Sequence, residues 1–336
     1  MMIKQFVYVL FLLFFQQYGA AQSKPMVVAA DGSGDFRTIQ AAIKSLPDSA
    51  HEPRVIFIKN GVYQEKLFIE KPFVTLRGES ETGVQISQSL PREEWRCDPN
   101  NKDDWGAATM NIRTHDLTLE NLTVLNNYGF ETTHDSLFIC PADPSGKKTI
   151  HRDGHQFALR AMPPTTRLTV KNCTFRGFGG DTVSPWDVEN GMYYFKNCTM
   201  EGNVDFYCPR GWAFAEGCRF ICHNLNAAIW HDGTGNESAK TVLKNCTFEG
   251  DNGFKLGRFH RDAQFFLVNC QFPENMADAP IYKVRKDTVL RWETRVFFSN
   301  CHRKGGDFDW HKNNIDKAVA EKISIDWTFE GRWKPQ

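Results

Sequence analysis

The chain has 336 residues, 41% of them hydrophobic, enough to bury one large core or two smaller ones. Forty basic residues balance forty acidic ones, which argues against nucleic acid as the main partner. A locally basic cleft is still compatible with that balance.

The chain opens MMIKQFVYVLFLLFFQQYGAAQ, with Lys4 before an apolar run from Phe6 to Phe15 and small residues at Gly19, Ala20 and Ala21. The pattern predicts a secretory signal peptide over 1–21, too short to span a membrane. No cysteine follows the run, so no lipoprotein anchor is expected. The remainder, 22–336, is expected to be one soluble domain, secreted or periplasmic, with no membrane insertion. Residues 33–47, SGDFRTIQAAIKSLP, place Phe36, Ile39, Ala42 and Ile43 at helical spacing ahead of a proline. Residues 127–154, just before Gln156, form a long charged segment carrying His134, Lys147, Lys148, His151 and Arg152. It either reshapes a cleft or is a solvated loop.

From Asn172 onward a motif recurs: NCTF, NCTM, GCRF, NCTF, NCQF and NCHR, with cysteine spacings of 25, 20, 28, 24 and 31. LTLENLTVLNN (117–127) is an earlier relative without cysteine, and short alternating strands such as RLTV (167–170) and FFLV (265–268) precede the motif. Alternation turns the cysteine and the residue two places later to one face, and asparagine and threonine to the other. A unit of about 25 residues too poor in apolar groups to fold alone must stack on its neighbours. The pattern predicts an all-β chain, a right-handed parallel β-helix with like side chains in ladders about 4.8 Å apart. The helical segment at 33–47 and the tail DKAVAEKISIDWTFEGRWKPQ, helical and then extended, would cover its open ends.

Six of the ten cysteines then form an interior stack, and without a CxxC pair no metal site is expected from them. Cys218–Cys222 and Cys97–Cys140 are the candidate disulfides, unranked. The five Asn-x-Ser/Thr matches are mostly by-products of the NCT repeat.

Gln156, Asp181 and Asp205 lie 25 and 24 residues apart, the period of one coil, which predicts a column on three adjacent coils. Two carboxylates about 5 Å apart resist joint ionisation, so one should keep its proton and serve as general acid while the other stays anionic. A neighbouring amide can stabilise an oxyanion. That combination suits ester hydrolysis. Solvent-exposed aspartates recurring by chance in turns are the plainer reading of each residue alone, and a calcium site is a further one.

VVAADGSGDFRTIQAAIKSLP, GVYQEKLFI (61–69), VTLRGES (74–80), HQFALR (155–160), GDTV (180–183), VDF (204–206), LGR (256–258) and the closing WTFEGRWKP together resemble the pectin methylesterases, as a divergent bacterial-type member. The resemblance runs along most of the chain. It implies a parallel β-helix and cofactor-free, metal-free hydrolysis of galacturonate methyl esters in pectin, by a monomer. It also implies Asp205 as nucleophile, Arg258 as the arginine that holds it, Asp181 as acid/base and Gln156 as oxyanion donor. Arg258 cannot be placed by period, because it follows Cys246 by twelve residues; an ordinary ion-pair arginine is its plainer reading. Three departures stand out. Gly180 occupies the place of a second glutamine, His260 that of a tryptophan, and YCPRG follows VDF where a Gly-Asn turn is usual.

Trp186, Trp212 and Trp230 are candidates for stacking on sugar rings, Arg210 for meeting a substrate carboxylate, and Phe206 and His260 for lining the cleft. Each also has a packing role as its plainer reading. A calcium-dependent uronate lyase and a pectin-binding protein without turnover are the alternative functions.

Overall fold

The repeated asparagine is a corner residue. In the computed structural model, which describes residues 25–335, Asn121, Asn172, Asn197, Asn245, Asn269 and Asn300 all adopt φ between 50° and 56°. Asparagine tolerates this left-handed conformation better than most residues, and Gly217 fills the same place in its coil at φ 62°. The corner amides hydrogen-bond from coil to coil. Asn269 donates to Asn245 at 3.0 Å, and Asn300 donates to Asn269 at 2.8 Å.

On either side of this corner run two long parallel sheets, of ten and nine strands, with a third face split into sheets of four and three strands. Leu168 pairs with Tyr193 and Thr174 with Thr199 on the two long faces, and Leu159 with Val183 on the third, so the register steps by 24 or 25 residues. With the right-handed sense of strand crossovers, these pairings make a right-handed parallel β-helix.

Immediately after the corner, Cys173, Cys198, Cys218, Cys246, Cys270 and Cys301 point inward and are buried. Each of the last five thiols faces a backbone carbonyl of the preceding coil, at 3.3 Å for Cys301 and Leu267. Two places on, Phe175, Met200, Phe220, Phe248 and Phe272 form the neighbouring interior row, with the rings of Phe220 and Phe248 stacked at 4.9 Å. Burial pushes the Cys173 thiol up to about 12, so that thiol stays neutral. One disulfide forms among the described residues, Cys97–Cys140; Cys218 and Cys222 are free and buried.

The terminal segments differ from the expectation. At the N-terminal end the helix is shorter, Ile39–Ser45, because Thr38 caps it by accepting from the Ala41 amide at 3.3 Å. Phe36 pairs with Val28 instead of joining the helix. The tail forms two short helices, Lys317–Lys322 and Ile325–Phe329, capped by Asp316 and Ser324, so Trp327 and Phe329 of its aromatic run are helical rather than extended. It does not close the far end. Ile323 and Phe329 pack on the outer face of the ten-stranded sheet, against Tyr194, Trp212, Phe214 and Phe266. Trp310 and His311 close the far end instead, over Phe298 and Phe272. The signal peptide expected over 1–21 lies outside the described residues.

Candidate active site

The third face is where the helix is least regular. Between its four-stranded and three-stranded sheets, the coil through Asp205 contributes only an isolated bridge, Tyr207 pairing with Val183 on one side and Ile229 on the other. His155 bridges Gly180 at a step of 25 residues and Val183 bridges Tyr207 at 24. Asp181 and Asp205 therefore sit one above the other at the seam. Both adopt positive φ, 56° and 57°, unusual for non-glycine residues and common where side chains are held for function.

Asp205 is gripped by Arg258. The guanidinium donates through Nε to one carboxylate oxygen at 2.8 Å and through Nη2 to the other at 2.6 Å, a bidentate pair. Arg258 reaches in from Lys255–Phe259, which pairs with Ala227–His231, and the Asp205 amide itself donates to Ala227. The arginine thus comes from two coils away and along the strand, a diagonal reach that no period in the sequence marks. Its guanidinium lies 5.2 Å from the centre of the Trp230 ring.

Electrostatics invert one expectation. Burial raises the Asp205 carboxyl, and although Arg258 opposes this, the charge of Asp181 adds to it, leaving Asp205 at about 6. The group that the nucleophile's role assigns to the anionic side is thus held closer to protonation than an ordinary carboxylate. It still ionises at neutral pH, to roughly nine parts in ten at pH 7 for that value.

Gln156 lies on the coil before Asp181, but its side chain does not share the site. Its side chain is fully buried, at 0% exposure; its carbonyl oxygen accepts from Gly129 at 3.0 Å and its nitrogen donates to the Arg152 carbonyl. Both partners belong to the 127–154 segment, which is folded. It has a helical turn, Tyr128–Glu131, and an antiparallel hairpin pairing Ser136–Ile139 with Lys147–Ile150, tied to Cys97 through Cys140. The segment claims the glutamine from behind, so its amide does not reach the cleft. Nor does Gly180 supply a side-chain donor.

The expected sugar-binding residues divide. Trp186 borders a cleft of about 590 Å³ with Asp232, Thr234, Arg261 and Arg291, and its ring packs on Arg160 at 4.1 Å. Trp230 is half-buried with the His260 ring 5.5 Å away, beside Arg258. Three others are corrected. Trp212 is 1% exposed beneath the C-terminal tail, with Arg332 at 3.9 Å from its ring, because it points outward from the ten-stranded sheet rather than toward the seam. Phe206 faces the interior, as alternation after Asp205 requires. Arg210 is 3% exposed and already paired with Asp232, so it meets no incoming carboxylate.

Sequence reasoning passed over two residues beside Asp181. The ring of His155 lies with Nε2 3.9 Å from Asp181 and Nδ1 3.6 Å from Glu93. Alternation along HQFALR was the available signal: with Gln156 turned inward, His155 faces out.

A pectinesterase family model matches residues 25–178, a stretch that includes His155 and Gln156 and stops short of Asp181. A probable pectinesterase/pectinesterase inhibitor of Arabidopsis thaliana is 29% identical over 237 residues, covering 68% of this chain and 36% of that protein. A pectinesterase of Petunia integrifolia is 29% identical over 243 residues, covering 70% of this chain and 56% of the relative. Over residues 25–178 the chain is thus similar to the pectinesterase family. It spans about a third of the first relative's length and about half of the second's. Among solved structures, a pectin methylesterase from Erwinia chrysanthemi superposes with a TM-score of 0.74 at 21% identity, over 94% of this chain and 99% of that one, a likeness of fold.

Proposed function

We propose that this protein is an exported, single-domain carbohydrate esterase of the pectinesterase family that hydrolyses methyl esters of a galacturonan, acting as a monomer without metal or cofactor. The observation that carries the reading is the bidentate Arg258–Asp205 pair stacked beside Asp181 at the open seam.

In the reaction, an Asp205 oxygen attacks the ester carbonyl carbon and the carbonyl electrons move onto oxygen. Collapse of that intermediate breaks the bond to the methoxy oxygen, which takes a proton from Asp181 and leaves as methanol. Asp181 then deprotonates a water that attacks the acyl-enzyme, freeing the galacturonate carboxyl group and Asp205. Arg258 keeps the nucleophile oriented and opposes the pull of burial toward protonation. An acidic substrate fits Arg261, which borders the cleft beside Trp186; Arg291, also at the rim, is already paired with Asp262.

One observation favours a second reading, a pectin-binding protein without turnover: Gln156 is withdrawn and position 180 is glycine, so neither expected side-chain oxyanion donor faces the cleft. Incubation with methylated pectin, its branched regions and methyl oligogalacturonates, with methanol as the readout, decides between them. Release that is lost in Asp205→Asn and unchanged by EDTA supports the esterase. No methanol from any of these substrates refutes it, and chelator-sensitive formation of unsaturated uronates points to a lyase.

A further inference from the structure

Leaving-group protonation requires that Asp181 hold a proton when the methoxy oxygen departs, and the structure surrounds Asp181 with an unusual partner for that task. His155 and Gly180 are register partners on adjacent coils, so the imidazole lies alongside the Asp181 carboxylate, Nε2 to Oδ1 at 3.9 Å. A β-carbon at position 180 would lie 3.8 Å from His155 Cδ2, an ordinary contact distance, so the ring borders position 180 directly.

On the far side of the ring, Nδ1 faces a Glu93 oxygen at 3.6 Å. Glu93 sits on the short helix Arg92–Trp95, whose first amide donates to the His155 carbonyl at 2.9 Å. Arg92 and Arg96 both bind the buried Asp104, and Cys97 is bonded to Cys140, so the helix is tied on two sides. The second Glu93 oxygen is buried without a hydrogen-bond partner, and the carboxylate is held ionised by His155, with the charge of Arg92 adding. Both separations are longer than a formed hydrogen bond, and acid/base contacts in unliganded sites commonly tighten only with substrate.

We propose that His155 is a positioning residue that supplies and recovers the proton used by Asp181, in a Glu93–His155–Asp181 relay. The inference rests on the esterase reading. The pair starts the cycle with one shared proton, as imidazolium beside carboxylate. As the carbon–methoxy bond breaks, the proton on His155 Nε2 passes through Asp181 to the departing oxygen, leaving neutral imidazole and a carboxylate. In the second half, the proton removed from water passes through Asp181 back to Nε2. Protons balance over the cycle, and Glu93 holds Nδ1–H throughout.

The groups facing His155 fit this role. Burial alone lowers the imidazolium, but the Glu93 contact and the Asp181 charge outweigh it against the opposing charge of Arg92, and the net displacement is upward. Asp205, on the next coil, also senses the imidazolium.

The test compares wild type with His155→Gln and Glu93→Gln, following methanol release across pH 5–9. The relay predicts that the alkaline limb of kcat moves about one pH unit toward acid in both variants, so kcat falls about tenfold at pH 8 with KM changed less than about twofold. Glutamine fills the imidazole's place but carries no proton, so a merely structural role predicts an equal loss at every pH. That outcome, or an unmoved alkaline limb, overturns the relay. A second measurement needs no substrate: NMR titration of labelled histidine in wild type and Asp181→Asn. The His155 midpoint is expected about one unit lower in Asp181→Asn, where the neighbouring charge is gone. An unchanged midpoint overturns the coupling. If wild type releases no methanol at all, the esterase reading fails while the titration still decides whether the pair is coupled.

Discussion

Replacing Arg258 with methionine keeps an extended side chain of similar reach but removes both hydrogen bonds to Asp205 and the cation gripping it. Asp205 already stands at about 6 with that cation in place. An opposite charge in contact lowers a carboxyl group by ~1–3 units, so its removal should carry Asp205 to ~7–9. At pH 7 the ionised fraction then drops from roughly nine-tenths to between about a half and about a hundredth. The deficit from ionisation alone is therefore ~2- to ~100-fold in kcat/KM at pH 7, shrinking as pH rises toward 9. A further loss from misorientation is independent of pH. The assay is methanol release from methylated oligogalacturonate, with kcat/KM measured at half-unit steps. An acid limb moved upward by at least one unit confirms the reasoning; an Arg258→Met variant whose acid limb stays at the wild-type position refutes it, whatever its absolute rate.

The same carboxyl makes a stability prediction. Its folded value lies above the ordinary 3.8, so the folded state holds the proton more tightly and ionised Asp205 costs stability as pH rises from about 4 through about 6, by ~3 kcal/mol at most. The difference in unfolding free energy between Asp205→Asn and wild type should grow in favour of the variant over that window and then level off; a constant difference in urea melts at pH 4 and pH 7 counts against it. Gly180→Gln should not restore an oxyanion donor, because the added β-carbon meets the Val204 carbonyl oxygen at 2.8 Å. Lost stability of ~1–3 kcal/mol and no gain in methanol release are expected. At the corner ladder, Asn269→Ala should cost ~2 kcal/mol through the left-handed backbone and the two lost amide bonds, and Asn269→Gly about half of that, by denaturant unfolding. Equal losses in the two variants would remove the backbone part of the explanation.

Much of the scaffold was legible because a solenoid converts distance along the chain into distance in space. The 25-residue period placed Asp181 next to Asp205 and put the cysteines inside. The asparagine was read as an outward strand residue, whereas it is the corner itself; alternation alone does not reveal a left-handed φ. Cys97–Cys140 was one of two candidate pairs, and Cys218 and Cys222 are separated because each belongs to its own inward-facing position.

What the sequence determined by itself is everything that repeats: parallel coils, an apolar interior ladder, and two aspartates in register at a face of the helix. These follow from period and alternation, which are local rules applied many times. Tertiary structure decided whatever depends on segments outside the repeat. The 127–154 segment turned Gln156 away from the cleft, and the helix at Arg92–Trp95 brought Glu93 to His155. The C-terminal tail buried Trp212 against the sheet. Arg258 reached Asp205 by a diagonal across coils. Such contacts join residues whose separations, among them 27 residues for Gly129 and Gln156 and 53 for Arg258 and Asp205, share no common step, so only the folded chain could bring them together.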